Sequence, residues 1–155
     1  MTVYLRDIAE GERFTTARRT ITEADVMAFA GVTGDFNAVH TDEVFAREET
    51  PFGRRIVHGP LILGLSFGLR SVRDDWKILA LLECRRRFVA PVFPGDTVHG
   101  RYAVESVRAS SRRPGTGVVT LAVAIVKEPD VVVQEGIDVL MVGDGADPAA
   151  DGGGP

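Results

Sequence analysis

The stretch from His58 to Val72 sets the tightest limit on the fold. His58-Gly59-Pro60 opens a helical pattern running from Leu61 to about Val72. Proline suits the first helical position, where its missing N–H is not needed. Leu61, Ile62, Leu63, Leu65, Phe67 and Leu69 put apolar groups nearly all the way round, while Gly64, Ser66 and Gly68 thin one side. A helix of this kind has to be buried, and its glycines predict close approach by other backbone. The sequence downstream supplies the enclosure. Residues 78–92, 97–107, 117–127 and 131–142 are rich in Val, Ile and Thr. Pro94-Gly95-Asp96, Arg113-Pro114-Gly115 and Pro129-Asp130 separate them, and all are turn-forming chemistry. Residues 118–126 are apolar on both parities, as expected of a central strand.

The first half is mostly helical. Residues 13–21 alternate loosely and predict a strand. Thr22 then caps a helix, with Asp25 in the position of a capping box. Val26, Phe29 and Ala30 recur at helical spacing, and Gly31 or Gly34 stops the run. Thr41-Asp42-Glu43 predicts a second helix start, and 51–55 a loop. Helices followed by a run of strands indicate an α+β domain over 1–142, a curved antiparallel sheet wrapped around the apolar helix. The Gly-, Ala-, Asp- and Pro-containing tail, 143–155, is expected to be disordered.

Bulk properties narrow the partners. A length of 155 residues supports one core without disulfides or metals. A net charge of −4 argues against nucleic acid as a partner. Cys84 is the only cysteine, so no internal disulfide forms, and a reducing, cytoplasmic setting is expected. Cys84 itself reads as a core residue rather than a nucleophile. The N-terminus has no apolar signal-peptide segment, and no apolar stretch is long enough to cross a membrane.

Three constellations could carry chemistry. The first is Gly34-Asp35-Phe36-Asn37-Ala38-Val39-His40, between two predicted helices. Histidine has the unperturbed pKa nearest neutrality, so it suits general acid–base work, and a nearby carboxylate can orient a water or the ring. Taken alone, the same residues also read as a capping turn. The second is His58-Gly59-Pro60. Free N–H groups at a helix N-terminus stabilise a developing anion. Pro60 cannot donate, so Gly59 N–H is the best donor, with Leu61 behind it. Taken alone, Gly59 also reads as a cap and His58 as a surface residue. The third is basic. Arg85, Arg86 and Arg87 lie on a predicted strand, where Arg85 and Arg87 share parity with Glu83 and read as facing solvent or a partner chain, while Cys84 and Phe88 take the other face; Arg108, Arg112 and Arg113 lie in a loop better suited to a phosphate. No Walker loop, dinucleotide fingerprint, nucleophile elbow or metal-ligand spacing is present.

Together these residues resemble the MaoC-like family of the hot-dog superfamily, which includes the R-specific enoyl-CoA hydratases. The resemblance covers about 10–142. It rests on the run from Ala30 to Asp42, on Pro51-Phe52-Gly53 followed by Ile56-Val57-His58-Gly59, and on the run from Phe88 to Thr97. Two positions depart from the family pattern. Ala38 replaces the usual proline, and Gly64 stands where some relatives carry a serine.

The resemblance implies a hot-dog fold, a homodimer or higher homo-oligomer, and a thioester substrate on CoA or an acyl carrier protein. It makes Asp35 and His40 the acid–base pair and Gly59 N–H the donor to the thioester carbonyl. His40 takes a proton as water attacks Cβ, and Asp35 orients the water and helps deliver a proton to Cα. Phe36, Asn37, His58, Gly64, Arg108, Arg112 and Arg113 are the further candidates for substrate contact. No metal or redox cofactor is expected, since the thioester is the electron sink and CoA or phosphopantetheine belongs to the substrate. Two other readings compete: a hot-dog thioester hydrolase and a non-catalytic acyl-thioester-binding subunit.

Overall fold

The computed structural model describes residues 1–145. Its regular elements are β1 (Arg13–Thr15), β2 (Arg19–Thr20), α1 (Glu23–Thr33), α2 (Ala38–Thr41), α3 (Glu43–Glu49), α4 (Gly59–Gly68), β3 (Ile78–Phe88), β4 (Thr97–Ala109), β5 (Thr116–Lys127) and β6 (Val131–Gly143). The strands form one sheet in the order β1-β4-β5-β6-β3, with β2 also paired to β4. All of these pairings are antiparallel. As expected, β5 is central. Its Val119, Leu121, Val123 and Ile125 are buried in one core with Leu61 and Ile62 of α4 and with Tyr102, Val104 and Val133. The sheet encloses α4 on that face, which is the hot-dog arrangement. Ile62 is 1% exposed. Full burial of such a side chain stabilises by about 2 kcal/mol.

Local chemistry explains where the structure departs from the sequence expectations. The strand expected over 13–21 is two short strands on β4, linked through Thr16: its N–H donates to Gly100 O, and its hydroxyl accepts from Gly100 N–H. The helix expected to reach Val72 ends at Gly68, with Leu69 extended. Ser71 then caps a separate 3-10 turn, Val72–Asp75, through a capping box with Asp74. The glycine side of α4 is open. Gly64 and Gly68 are exposed, and a Cβ on either would meet nothing within 4 Å. The third strand stops at Phe88 rather than 92. Gly143 is the last residue of β6, and Asp144 N–H still donates to Gly115 O, so the expected tail starts too early. The remainder of that tail, 146–155, lies outside the described residues.

Arg86 differs from its two neighbours. Arg85 and Arg87 face solvent as expected, with ion pairs to Glu83 and Glu135. Arg86 has the opposite parity and turns into the core, where its Nη2 lies 2.7 Å from Asp138 Oδ1. Arg73 joins from beyond α4, 3.9 Å from the same carboxylate. Arg73 and Tyr102 both donate to Ser66 O, an otherwise orphaned carbonyl in the last turn of α4. Burial pushes the Tyr102 hydroxyl above its usual value. Cys84 is only half-buried. It lies opposite Asp138, and burial raises its thiol.

Candidate active site

Asp35 and His40 meet beside the N-terminus of α4. Gly34 takes the left-handed conformation (φ 76°) as the C-cap of α1 and turns the chain outward. Asn37 then accepts from Val39 N–H and starts α2, so His40 lies on a short helix rather than in a loop. Asp35 Oδ2 is 3.9 Å from His40 Nε2, close enough for one water to bond both. The Asp35 side chain is 49% exposed and that of His40 12%.

The ring of His40 has a defined tautomer. Its Nδ1 lies 2.8 Å from Ile56 O. A carbonyl only accepts, so Nδ1 carries the hydrogen, and in the neutral ring Nε2 presents its lone pair to Asp35. Ile56 is itself fixed. Its N–H donates to Val39 O, and neighbouring Arg55 bonds Glu23 of α1 in a bidentate pair and Glu43 of α3. The Arg55 guanidinium, through its hydrogen bond, holds the Glu43 carboxyl below its usual range.

His58 completes the cluster. It is fully buried, and its Nε2 lies 2.9 Å from Asp35 O. Its ring stacks on that of His40 at 3.8 Å between centroids. Asp35, His40 and His58 bring three ligand-type atoms within 4.8 Å of one another, a spacing a metal ion could use. The hydrogen bonds speak against that use. His58 Nε2 must carry a hydrogen to reach a carbonyl, which takes that nitrogen out of such a set and leaves the His58 lone pair on its buried Nδ1.

Gly59 is the first residue of α4. Leu61 N–H is taken by His58 O, whereas Gly59 N–H has no acceptor among the described residues. Gly59 O accepts from Gln134 Nε2 at 2.8 Å, which ties this turn to β6. A Cβ at 59 would come within 2.8 Å of the Phe88 ring, so a side chain here requires that ring to move. An apolar groove of about 380 Å³ runs past this turn, lined by Phe52, Ile56, Gly59, Phe88, Val89 and Val133 among others.

The other sequence candidates are scattered. Phe36 is exposed, and neither it nor Gly64 lines the groove. Asn37 works as a cap. Arg108 pairs with Val118, while the groove's Gln134 pairs with Ile125 of the same strand. Seven strand residues, roughly 24 Å, thus separate the 108–113 arginines from the site within one chain. A broader trough of about 1300 Å³ crosses the sheet's outer face, lined by Arg13, Arg85, Arg87 and Arg101, away from the pair. The groove residues Phe88 and Gln134 escaped the sequence reading. A polar residue ending the apolar run 131–133 was the available signal for Gln134.

An apolar helix held in an antiparallel sheet defines a hot-dog protein, here with a carboxylate–imidazole pair beside the helix N-terminus. The chain belongs to the MaoC-like domain family, which matches residues 7–126. The 3-hydroxybutyryl-CoA dehydratase of Methylorubrum extorquens is 34% identical over 120 residues, covering 72% of this chain and 76% of that protein. Protein MaoC of Klebsiella aerogenes is 37% identical over 99 residues, 63% of this chain, and the matched part is 29% of its length. Among solved structures, the (R)-hydratase of Aeromonas caviae superposes with a TM-score of 0.72 at 31% identity, covering 87% of this chain and 97% of that one.

Proposed function

We propose that this chain interconverts enoyl and 3-hydroxyacyl thioesters by adding or removing water. One observation carries the reading: the bare Nε2 of His40 faces Asp35 Oδ2 at 3.9 Å, beside the unpaired Gly59 N–H. In hydration, His40 takes a proton from the water held by Asp35 as the hydroxyl bonds to Cβ. Charge moves to the thioester oxygen, which Gly59 N–H and the end of α4 stabilise. His40 then returns the proton to Cα, with Asp35 balancing the transient imidazolium. Dehydration reverses the path. The names of the Methylorubrum and Aeromonas proteins support this chemistry. A hydrolase is the weaker reading, because α4 (Gly59–Gly68) carries no Asp or Glu that could act as its carboxylate.

The partners follow from the same reading. The groove accepts the acyl group, and the carrier is CoA or an acyl carrier protein. No further cofactor is required. No helix among the described residues is long and apolar enough to cross a membrane, and a cytoplasmic setting fits the lone cysteine. β3 is an edge strand exposing Leu79, Leu81, Leu82 and Phe88, a surface suited to pairing with a second copy. Antiparallel β3–β3 pairing turns the partner's 108–113 end toward this chain's site, the one route by which those arginines reach a substrate phosphate. Light scattering that finds only monomer at micromolar concentration contradicts this assembly.

The activity is tested with a short enoyl-CoA. Wild type is expected to bleach the enoyl absorbance without releasing free thiol. Folded Asp35→Asn and His40→Ala are each expected to lose about 10²- to 10⁴-fold in rate. Thiol release by wild type points to a hydrolase, and wild-type rates in both variants contradict the assignment.

A further inference from the structure

We infer that His58 is a positioning residue for the acid–base pair, acting through a hydrogen bond to the Asp35 backbone; this rests on the hydratase/dehydratase reading. His58 occupies the N-cap of α4 and makes no side-chain cap there. Ser, Thr, Asp or Asn at such a site stabilises a helix by about 1 kcal/mol. The chain forgoes that contribution. The side chain turns away and reaches Asp35 O instead, on a loop that is distant in sequence and half-exposed at its carboxylate.

The bond defines the tautomer. Nε2 carries the hydrogen, and Nδ1 is buried without a partner among the described residues. His40 has the opposite arrangement, with its hydrogen on Nδ1 and its lone pair on Nε2. Two stacked imidazoles in opposite tautomers thus divide the work. One anchors the loop carrying the carboxylate; the other does proton transfer. The packing fixes three things at once. The His58 ring supports the His40 ring from below, with the Phe29 ring 5.1 Å behind it. Its Nε2–H holds the Asp35 backbone. Its own backbone leads directly into Gly59. One side chain therefore registers the base, the carboxylate and the oxyanion donor against each other. Small misplacements of reacting groups are costly, with about 1 Å lowering rates on the order of 100-fold.

Two variants separate the hydrogen bond from the ring. Glutamine can place an amide N–H near the position of His Nε2, whereas phenylalanine keeps the ring stack and removes the donor. His58→Gln is expected to keep kcat within about threefold, and His58→Phe to lose about 10- to 100-fold in kcat with KM nearly unchanged. Equal losses in both variants, wild-type kcat in His58→Phe, or a loss confined to KM overturns the inference. Long-range ¹⁵N–¹H NMR of the wild type provides a second readout that needs neither folded variants nor activity. It is expected to show His58 hydrogenated on Nε2 and His40 on Nδ1. His58 hydrogenated on Nδ1 overturns the inference. A wild type that hydrates no enoyl thioester, yet shows the two tautomers, defeats the functional reading and leaves the Asp35 anchor standing.

Discussion

The two ends of α4 carry polar clusters built by opposite rules. At the C-terminal end the charged groups are sealed from solvent and ion-paired. Asp138 and Arg86 are buried at 2.7 Å, and Arg73 and Tyr102 saturate the Ser66 carbonyl. Cations there also match the negative end of the helix dipole. At the N-terminal end the bonding is left incomplete. Asp35 and His40 stand 3.9 Å apart, the carboxylate is half-exposed, and Gly59 N–H has no acceptor among the described residues. A sealed, ion-paired end holds a fold together, and an open, unpaired one is free to engage a substrate.

Exchanging the same substitution between the two ends is the strongest way to break this contrast. Asp35→Asn is expected to cut turnover by about 10²-fold or more and leave the melting temperature close to wild type. Asp138→Asn is expected to do the reverse. It strands the buried Arg86, costs about 3–5 kcal/mol and lowers Tm by roughly 10 °C, while folded protein keeps its turnover. Parallel melting curves and steady-state rates check both, and a large Tm loss in Asp35→Asn erases the contrast.

Gly59→Ala sharpens it. The new Cβ presses on Phe88, whose ring is 56% exposed and free to swing aside. Catalytic efficiency is expected to fall about tenfold with little loss of stability. An efficiency equal to wild type would show that the groove at this turn tolerates the change and takes no close contact there.

The smallest effect belongs to a site involved in neither cluster. Asp25 is held below the ordinary carboxylate value of 3.8, first by the Thr22 backbone N–H and against the opposing effect of burial. Its folded pKa is the lower one, so its contribution is present above about 3.8 and is lost as the pH falls through the folded value. Asp25→Asn is expected to cost about 1 kcal/mol at pH 7, and chemical denaturation should show the gap to wild type closing below pH 3.8. A gap that does not change with pH contradicts this account.

Local signals made much of the fold legible. The Thr22–Asp25 capping box, the start of α4 at His58-Gly59-Pro60 and the starts of the four long strands lie close to where the sequence put them, because caps, turns and alternation act over a few residues. What escaped depended on distant partners. Arg86 has the parity opposite to its two solvent-facing neighbours, but the counterion that lets it be buried, Asp138, lies on another strand. The 108–113 arginines looked suited to phosphate until strand pairing put them at the far end of the sheet. The end of α4 was misjudged for a different reason. Ser71 and Asp74 formed a readable capping box that marked a new start. Asp35 and His40 were readable as a pair, but the residues orienting them were not, since both imidazoles are held by backbone carbonyls that no motif records.

The central claim is that one water, held between Asp35 and His40 on one side of the substrate, supplies both the hydroxyl at Cβ and the proton at Cα. Hydration of a short enoyl thioester in D₂O, with the product's configuration at both carbons read by NMR, tests this most directly. Groups 3.9 Å apart on one face predict syn addition, with deuterium and hydroxyl delivered to the same side. Anti addition, or a mixture of diastereomers, would contradict it.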